Sequence, residues 1–208
     1  MVTISLINAG KRFNKDWIFR DLNTSFEMGQ HYALIGNNGS GKSTLLQIIS
    51  GYSSLSKGSI DWSNLDSQSV YQSIAIAAPY LELIEELTTI EHFTFHEKFK
   101  PLRKDITVEK MIDMIGLKAA MHKQIRYFSS GMKQRLKLAL AIFSESPILL
   151  LDEPCSNLDQ EGYALYHQLI QAYAMHKLII VGSNDTEEYR FCTKHINLLD
   201  YKVAGNNS

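Results

Sequence analysis

Apolar and polar residues follow two rhythms along this chain of 208 residues. In the first third they alternate one by one, over residues 2–7 and again over 17–26, which predicts exposed-face strands. The turn Glu27-Met28-Gly29-Gln30 then leads into the apolar run 31–35, a short buried strand, and residues 43–49 (STLLQII) predict a helix. A polar turn over 51–57 precedes a further strand at 58–62. The apolar run 73–78 is bounded by Pro79. Between residues 88 and 144 the period becomes helical, with helices predicted over 90–99 and 108–115 and Gly116 as a stop. Ser129 is placed to cap a longer helix reaching residue 143. The last third alternates whole elements: strand 148–151, helix 160–175, strand 178–181 and a final short strand at 196–199. Continuously apolar strands separated by helices imply an α/β fold, a mostly parallel sheet with helices on both faces. The strand-rich start adds an N-terminal antiparallel β region, and the helical middle is an inserted subdomain.

Composition changes this picture little. The chain is 45% hydrophobic, 10% aromatic and 21% charged, as ordinary soluble domains are. A net charge of −1 gives no electrostatic reason to expect nucleic acid as a partner. No apolar run is long enough to span a bilayer and no leader-like start is visible, so a cytoplasmic location is expected. Two cysteines, Cys155 and Cys192, make neither a disulfide framework nor a metal-ligand spacing.

Chemistry enters at Gly36-Asn37-Asn38-Gly39-Ser40-Gly41-Lys42-Ser43-Thr44, between the strand 31–35 and the helix that follows. This is the G-x-x-x-x-G-K-[ST] phosphate loop of a P-loop NTPase core. Glycines let backbone N–H groups turn around an anion, and the helix aims its positive end at the same point. Lys42 is expected on the β- and γ-phosphates and Ser43 on Mg²⁺. The strand 148–151 ends in Asp152 and Glu153. Nucleotides bind at the carboxyl ends of such strands, so Asp152 is expected near Mg²⁺ and Glu153 near the attacking water. His92 and His96 are spaced i, i+4 but lack a third ligand, which favours a half-buried helical face over a metal site.

Phe128-Ser129-Ser130-Gly131-Met132-Lys133-Gln134-Arg135 resembles the signature of the ATP-binding cassette family, the ATPase subunits of ABC transporters. Ser129 and Gly131 match that pattern, whereas Phe128, Ser130 and Met132 depart from it. The resemblance extends over essentially the whole chain, as a single cassette 1–208 with a helical subdomain 80–128 and the signature helix 129–144 returning to the core. It implies ATP and Mg²⁺ as cofactors and a head-to-tail dimer, a homodimer or a pair with a related subunit. Ser129 and Gly131 would then serve the γ-phosphate held by the other chain. It also implies adenine stacking on Phe13 and a contact from Asp159 in the Ser156-Asn157-Leu158-Asp159 segment. Two sensing positions depart from the family. Tyr80 follows Pro79 where a glutamine is usual, and Asn184 stands in the place of the switch histidine. An amide can donate a hydrogen bond to phosphate but cannot titrate. The resemblance predicts a motor for an integral membrane permease, peripheral at the inner face of the cell membrane. The alternatives are an ATP-binding regulatory module with little turnover and a soluble ABC ATPase without a transport role. Without an added C-terminal regulatory domain, the chain leans toward export.

Overall fold

The computed structural model describes residues 3–63, 65 and 70–202. Its strands and α-helices run β1 (Thr3–Phe13), β2 (Asp16–Glu27), β3 (His31–Ile35), α1 (Lys42–Ile49), β4 (Lys57–Ser63), β5 (Ile74–Ala77), α2 (Thr89–Glu97), α3 (Val108–Met114), α4 (Ser130–Ile142), β6 (Ile148–Asp152), α5 (Gln160–Tyr173), β7 (Leu178–Gly182) and β8 (Lys194–Asn197). Val2, where the first strand was expected to begin, lies outside the described residues.

Two sheets form. The antiparallel one has the order β2-β1-β4, and the parallel one β5-β6-β7-β3-β8. β1 continues well past residue 7, through register shifts at Leu6, Ala9 and Lys11 and a left-handed Asn8 at φ 49°. Such irregularities break strict alternation, which hid the second half of the strand from sequence reading. The final strand is corrected to Lys194–Asn197. It is an edge strand paired to β3, and the Asn197 side chain accepts from the Leu199 N–H, turning residues 198–201 into a 3-10 helix.

The central strands β6 and β7 are buried along their whole length. Because successive side chains point to opposite faces, each strand feeds two cores. Leu149, Leu151, Ile179 and Val181 pack with α4, α5 and the helical middle. Ile148, Leu150, Leu178 and Ile180 pack with α1 and the β1–β2 hairpin. Phe93, Met111, Ile112, Ile115 and Ile125 of the helical middle join the first of these cores. The helices start where caps allow. Thr88 makes a capping box with Glu91, and Ser129 accepts from the Met132 N–H. Gly116, at φ 71°, follows the end of α3 as expected.

This topology positions the site. β6, β7 and β3 are neighbours, with Asp152 opposite Gly182. Their carboxyl ends therefore deliver Asp152 and Glu153, the 183–185 segment and the Gly36 loop to one edge of the sheet.

Candidate functional site

The loop after β3 closes through a hydrogen bond from the Ser40 N–H to Asn37 O at 2.9 Å. Gly36, Gly39 and Gly41 take φ values of 144°, 74° and 103°. At Gly41 a Cβ would also lie 2.5 Å from Ile18 Cγ2, so both backbone and space require glycine. Gly41 then caps α1 without a side chain, and no acidic residue occupies the first turn. The positive helix end is left facing the loop.

Lys42 is buried. Its Nζ donates to Gly36 O at 2.8 Å, to Asn37 O at 3.4 Å and to Asn184 Oδ1 at 2.9 Å. Burial lowers its pKa, and Glu153 and Asp152 push it back up. Asn184 Nδ2 donates to Asn38 Oδ1 at 2.6 Å. An ammonium only donates, so the Asn184 oxygen must face Lys42 and its NH₂ must face the loop. Asn184 thus links the segment after β7 to Asn38 within the phosphate loop and to Lys42 at the start of α1.

Asp152 is buried, and burial pushes its carboxyl up to about 6, against the pull of the Ser43 hydroxyl and Lys42. Its Oδ1 is buried without a hydrogen-bond partner. An orphaned carboxylate oxygen beside a hydroxyl and a phosphate loop has the oxygen-donor chemistry that Mg²⁺ takes, with phosphate and water filling the other positions. Glu153 is exposed, and its φ of 42° is left-handed. A cavity of about 300 Å³ is lined by Ile18, Asn38, Gly39, Gly41, Lys42, Ser43, Thr44 and Glu153. It brings the loop, a strand-end carboxylate and the ammonium around one space able to take a triphosphate.

A second cavity, about 430 Å³, lies elsewhere and is lined by Gln47, Tyr52, Tyr71, Tyr80 and Lys100 among others. Tyr80 belongs to this cavity and does not line the phosphate one. Burial, with a smaller push from Asp152 and an opposing hydrogen bond with Gln47, raises its hydroxyl to about 12. Phe13 is half exposed at the tip of the β1–β2 hairpin, with Lys11 Nζ 5.1 Å from its ring centre. Phe19 is fully buried, and Trp17 lies under Arg12 and Arg20, so the exposed ring of the three is Phe13.

Ser129, Gly131 and Asp159 are not among the residues lining the phosphate cavity of their own chain. Ser129 caps α4, and a Cβ on Gly131 would sit 3.2 Å from Asn157 O. Asp159 Oδ1 accepts from the Gly162 N–H at 2.8 Å, capping α5, and lies 3.5 Å from Arg135 Nη2. His92 and His96 are committed to the Ile84 N–H and the Ser144 hydroxyl. Among the described residues no group of three or more His, Cys, Asp or Glu could hold a metal ion.

Sequence reasoning missed Ile18, whose signal was only one apolar position in an alternating strand. It also missed Gln47, Gln134 and Glu188, polar residues in helical or turn segments whose contacts come from distant parts of the chain.

Residues 19–156 match the ABC transporter family. The chain is 32% identical over 189 residues to the uncharacterized ABC transporter ATP-binding protein YybJ of Bacillus subtilis, covering 89% of this chain and 87% of that protein. It is 28% identical over 191 residues to the lantibiotic transport ATP-binding protein SrtF of Streptococcus pyogenes, covering 87% and 79%. Its fold matches the dimeric bacterial ABC transporter cassette MJ0796 with a TM-score of 0.79 at 22% identity, over 93% of each chain.

Proposed function

This chain belongs to the ABC transporter family as an ATP-binding subunit and ATP hydrolase, and from that premise we propose a division of labour among its residues. The observation that carries it is the convergence of Lys42, Asp152, Glu153 and Asn184 on the ends of three adjacent strands. Lys42, the loop amides from Gly36 to Thr44 and the start of α1 hold the β- and γ-phosphates of ATP. Ser43 and Asp152 hold Mg²⁺, which when bound neutralises charge on the phosphates. Glu153 faces the cavity and accepts the proton of the attacking water. Asn184 releases Lys42 when the γ-phosphate arrives and donates its NH₂ to a phosphate oxygen instead. Phe13 stacks the adenine, and Ile18 packs beneath the nucleotide.

Ser129, Gly131 and Asp159 do not line their own chain's phosphate cavity. That supports a head-to-tail dimer in which they complete the site of a partner's loop. The partner is a second copy or a related subunit. Residues 80–128 dock an integral membrane permease, with Tyr80 at the junction between the insertion and the core. The dimer then works at the inner face of the cell membrane, and no described helix is itself long and apolar enough to cross one. SrtF is a lantibiotic transport protein; here the permease selects the cargo.

The test is ATP turnover by the purified chain beside Glu153→Gln. The parent should hydrolyse Mg–ATP, and Glu153→Gln should bind it, stall and accumulate as a dimer in light scattering. Turnover by Glu153→Gln at the parent rate would remove Glu153 from the role of base.

A further inference from the structure

One peptide unit beside the candidate base is held at both ends by buried side chains from two other parts of the fold. Gln134, in α4, donates from Nε2 to Pro154 O at 2.6 Å. Glu188, in the segment after β7, accepts the Cys155 N–H on Oε1 at 2.8 Å. These are the carbonyl and the amide of the same Pro154–Cys155 bond. Gln134 and Glu188 are only 4% and 3% exposed.

Their burial is costly. The second carboxylate oxygen of Glu188 makes no hydrogen bond, and burial pushes its carboxyl up, against the pull of the nearby Ser183 hydroxyl and the Cys155 N–H. A fold does not need a carboxyl there to fill space. The Tyr166 hydroxyl donates to Glu188 O at 2.8 Å, which fixes the segment that presents it.

The residue before this peptide is Glu153, held at φ 42°, a left-handed conformation that is unfavourable for an L-residue with a side chain. Its N–H donates to Gly182 O at 2.9 Å and its carbonyl accepts from the Ser156 N–H at 3.0 Å. The turn is therefore pinned on every side, and the planar Pro154–Cys155 unit cannot flex between its two anchors.

We propose that Gln134 and Glu188 form a clamp on the Pro154–Cys155 peptide that aims the Glu153 carboxylate into the phosphate cavity, making both of them positioning residues for ATP hydrolysis. The proposal rests on the reading of Glu153 as the base. Neither clamp residue lines the cavity, so neither contributes to nucleotide affinity. The clamp joins two elements with different tasks: α4, capped by Ser129, and the segment that begins with Asn184. A displacement of either one reaches Glu153 through a single rigid peptide. Hydrolysis is then conditional on both elements being in place.

The experiment compares the parent with Glu188→Ala, Glu188→Gln, Gln134→Leu and the double variant Gln134→Leu/Glu188→Ala, with Glu153→Gln as reference. Thermal unfolding and binding of a non-hydrolysable ATP analogue report folding. Misplacing a reacting group by about 1 Å can cost about 100-fold in rate, so Glu188→Ala and Gln134→Leu should lower kcat by about 10- to 100-fold. Affinity for the analogue should stay within about threefold of the parent, the signature of an interaction used in turnover and not in binding. Glu188→Gln keeps the acceptor oxygen and should restore kcat to within about threefold. The double variant should fall little below the worse single one, because both residues hold one peptide. If Glu188→Ala does not fold, Gln134→Leu, which keeps the volume, carries the test. A folded, analogue-binding Gln134→Leu or Glu188→Ala with parental kcat overturns the clamp when Glu153→Gln is inactive. Equal losses of affinity and turnover overturn it too, in favour of a general role in folding. Parental turnover by Glu153→Gln instead overturns the base reading, and the clamp falls with it.

Discussion

Asp152→Asn should make the metal-free protein more stable while destroying its activity. The buried Asp152 carboxyl is raised from 3.8 to about 6, chiefly by burial. Above pH 6 the folded chain therefore holds a carboxylate that would be better ionised in water. About two pKa units correspond to about 3 kcal/mol of destabilisation. The sign follows from proton uptake. As pH falls through 6 the folded state takes a proton that the unfolded state does not yet bind, so this destabilisation fades. At pH 4.5 linkage leaves about 1 kcal/mol of it. The amide variant cannot ionise and should gain that difference, less the cost of burying an amide without its full set of partners. For a chain of this size, a net gain of about 2 kcal/mol at pH 8 would raise Tm by about 4–8 °C. The assay is thermal unfolding of parent and variant with a chelator present, at pH 8 and pH 4.5, beside Mg–ATP turnover. The variant should unfold later at pH 8, lose most of that advantage at pH 4.5, and turn over no ATP. A variant less stable than the parent at pH 8, or one whose advantage is equal at both pH values, would refute the reasoning.

Lys42→Ala should weaken ATP binding by roughly 100-fold, since it removes the one ammonium inside the phosphate loop; equilibrium dialysis with labelled ATP measures this, and parental affinity would contradict it. Ser129→Arg, introduced into Glu153→Gln, should abolish the ATP-dependent dimer by putting bulk and charge at the trans phosphate contact, with light scattering as readout. Asn184→His should raise turnover and add a pH dependence near 6–7 that the parent lacks, the range where an imidazole changes charge. Asn184→Ala loses the phosphate contact and should turn over more slowly than the parent, so parental kinetics in Asn184→Ala would deny the residue a switch role.

The phosphate loop was legible because its chemistry is local. Glycines at fixed spacing, a lysine and a strand before it are all within one short window. The fully apolar runs of β3, β6 and β7 were equally plain, since strands buried on both faces leave no polar residue to confuse the period. What stayed hidden was set by contacts between distant segments. Gln134 looked like one more polar residue on a basic helix, and nothing local marks the carbonyl it meets twenty residues later. Glu188 sits in an acidic turn, where a solvated surface is the usual outcome. The place of Tyr80 after Pro79 suggests a sensing position, while its side chain lies beside Gln47 and lines a different cavity. The alternation in β1 ends before the strand does, because a bulged strand does not keep a period of two.

The left-handed backbone at Glu153 has a bearing on how such chains diverge. Glycine and asparagine accept that conformation far more readily than glutamate, so their arrival there relaxes the fold. Backbone strain therefore favours glycine or asparagine at this position, and on the proposed reading of Glu153 as the base the need for turnover opposes it. In a lineage where a second, competent site does the hydrolysis, that opposing pull disappears. Glu153 would then be among the first site residues lost, ahead of Lys42, whose task of holding nucleotide persists. A duplicated copy of this gene would drift toward a subunit that binds ATP and rarely cleaves it, and the copy would gain thermal stability as it did so.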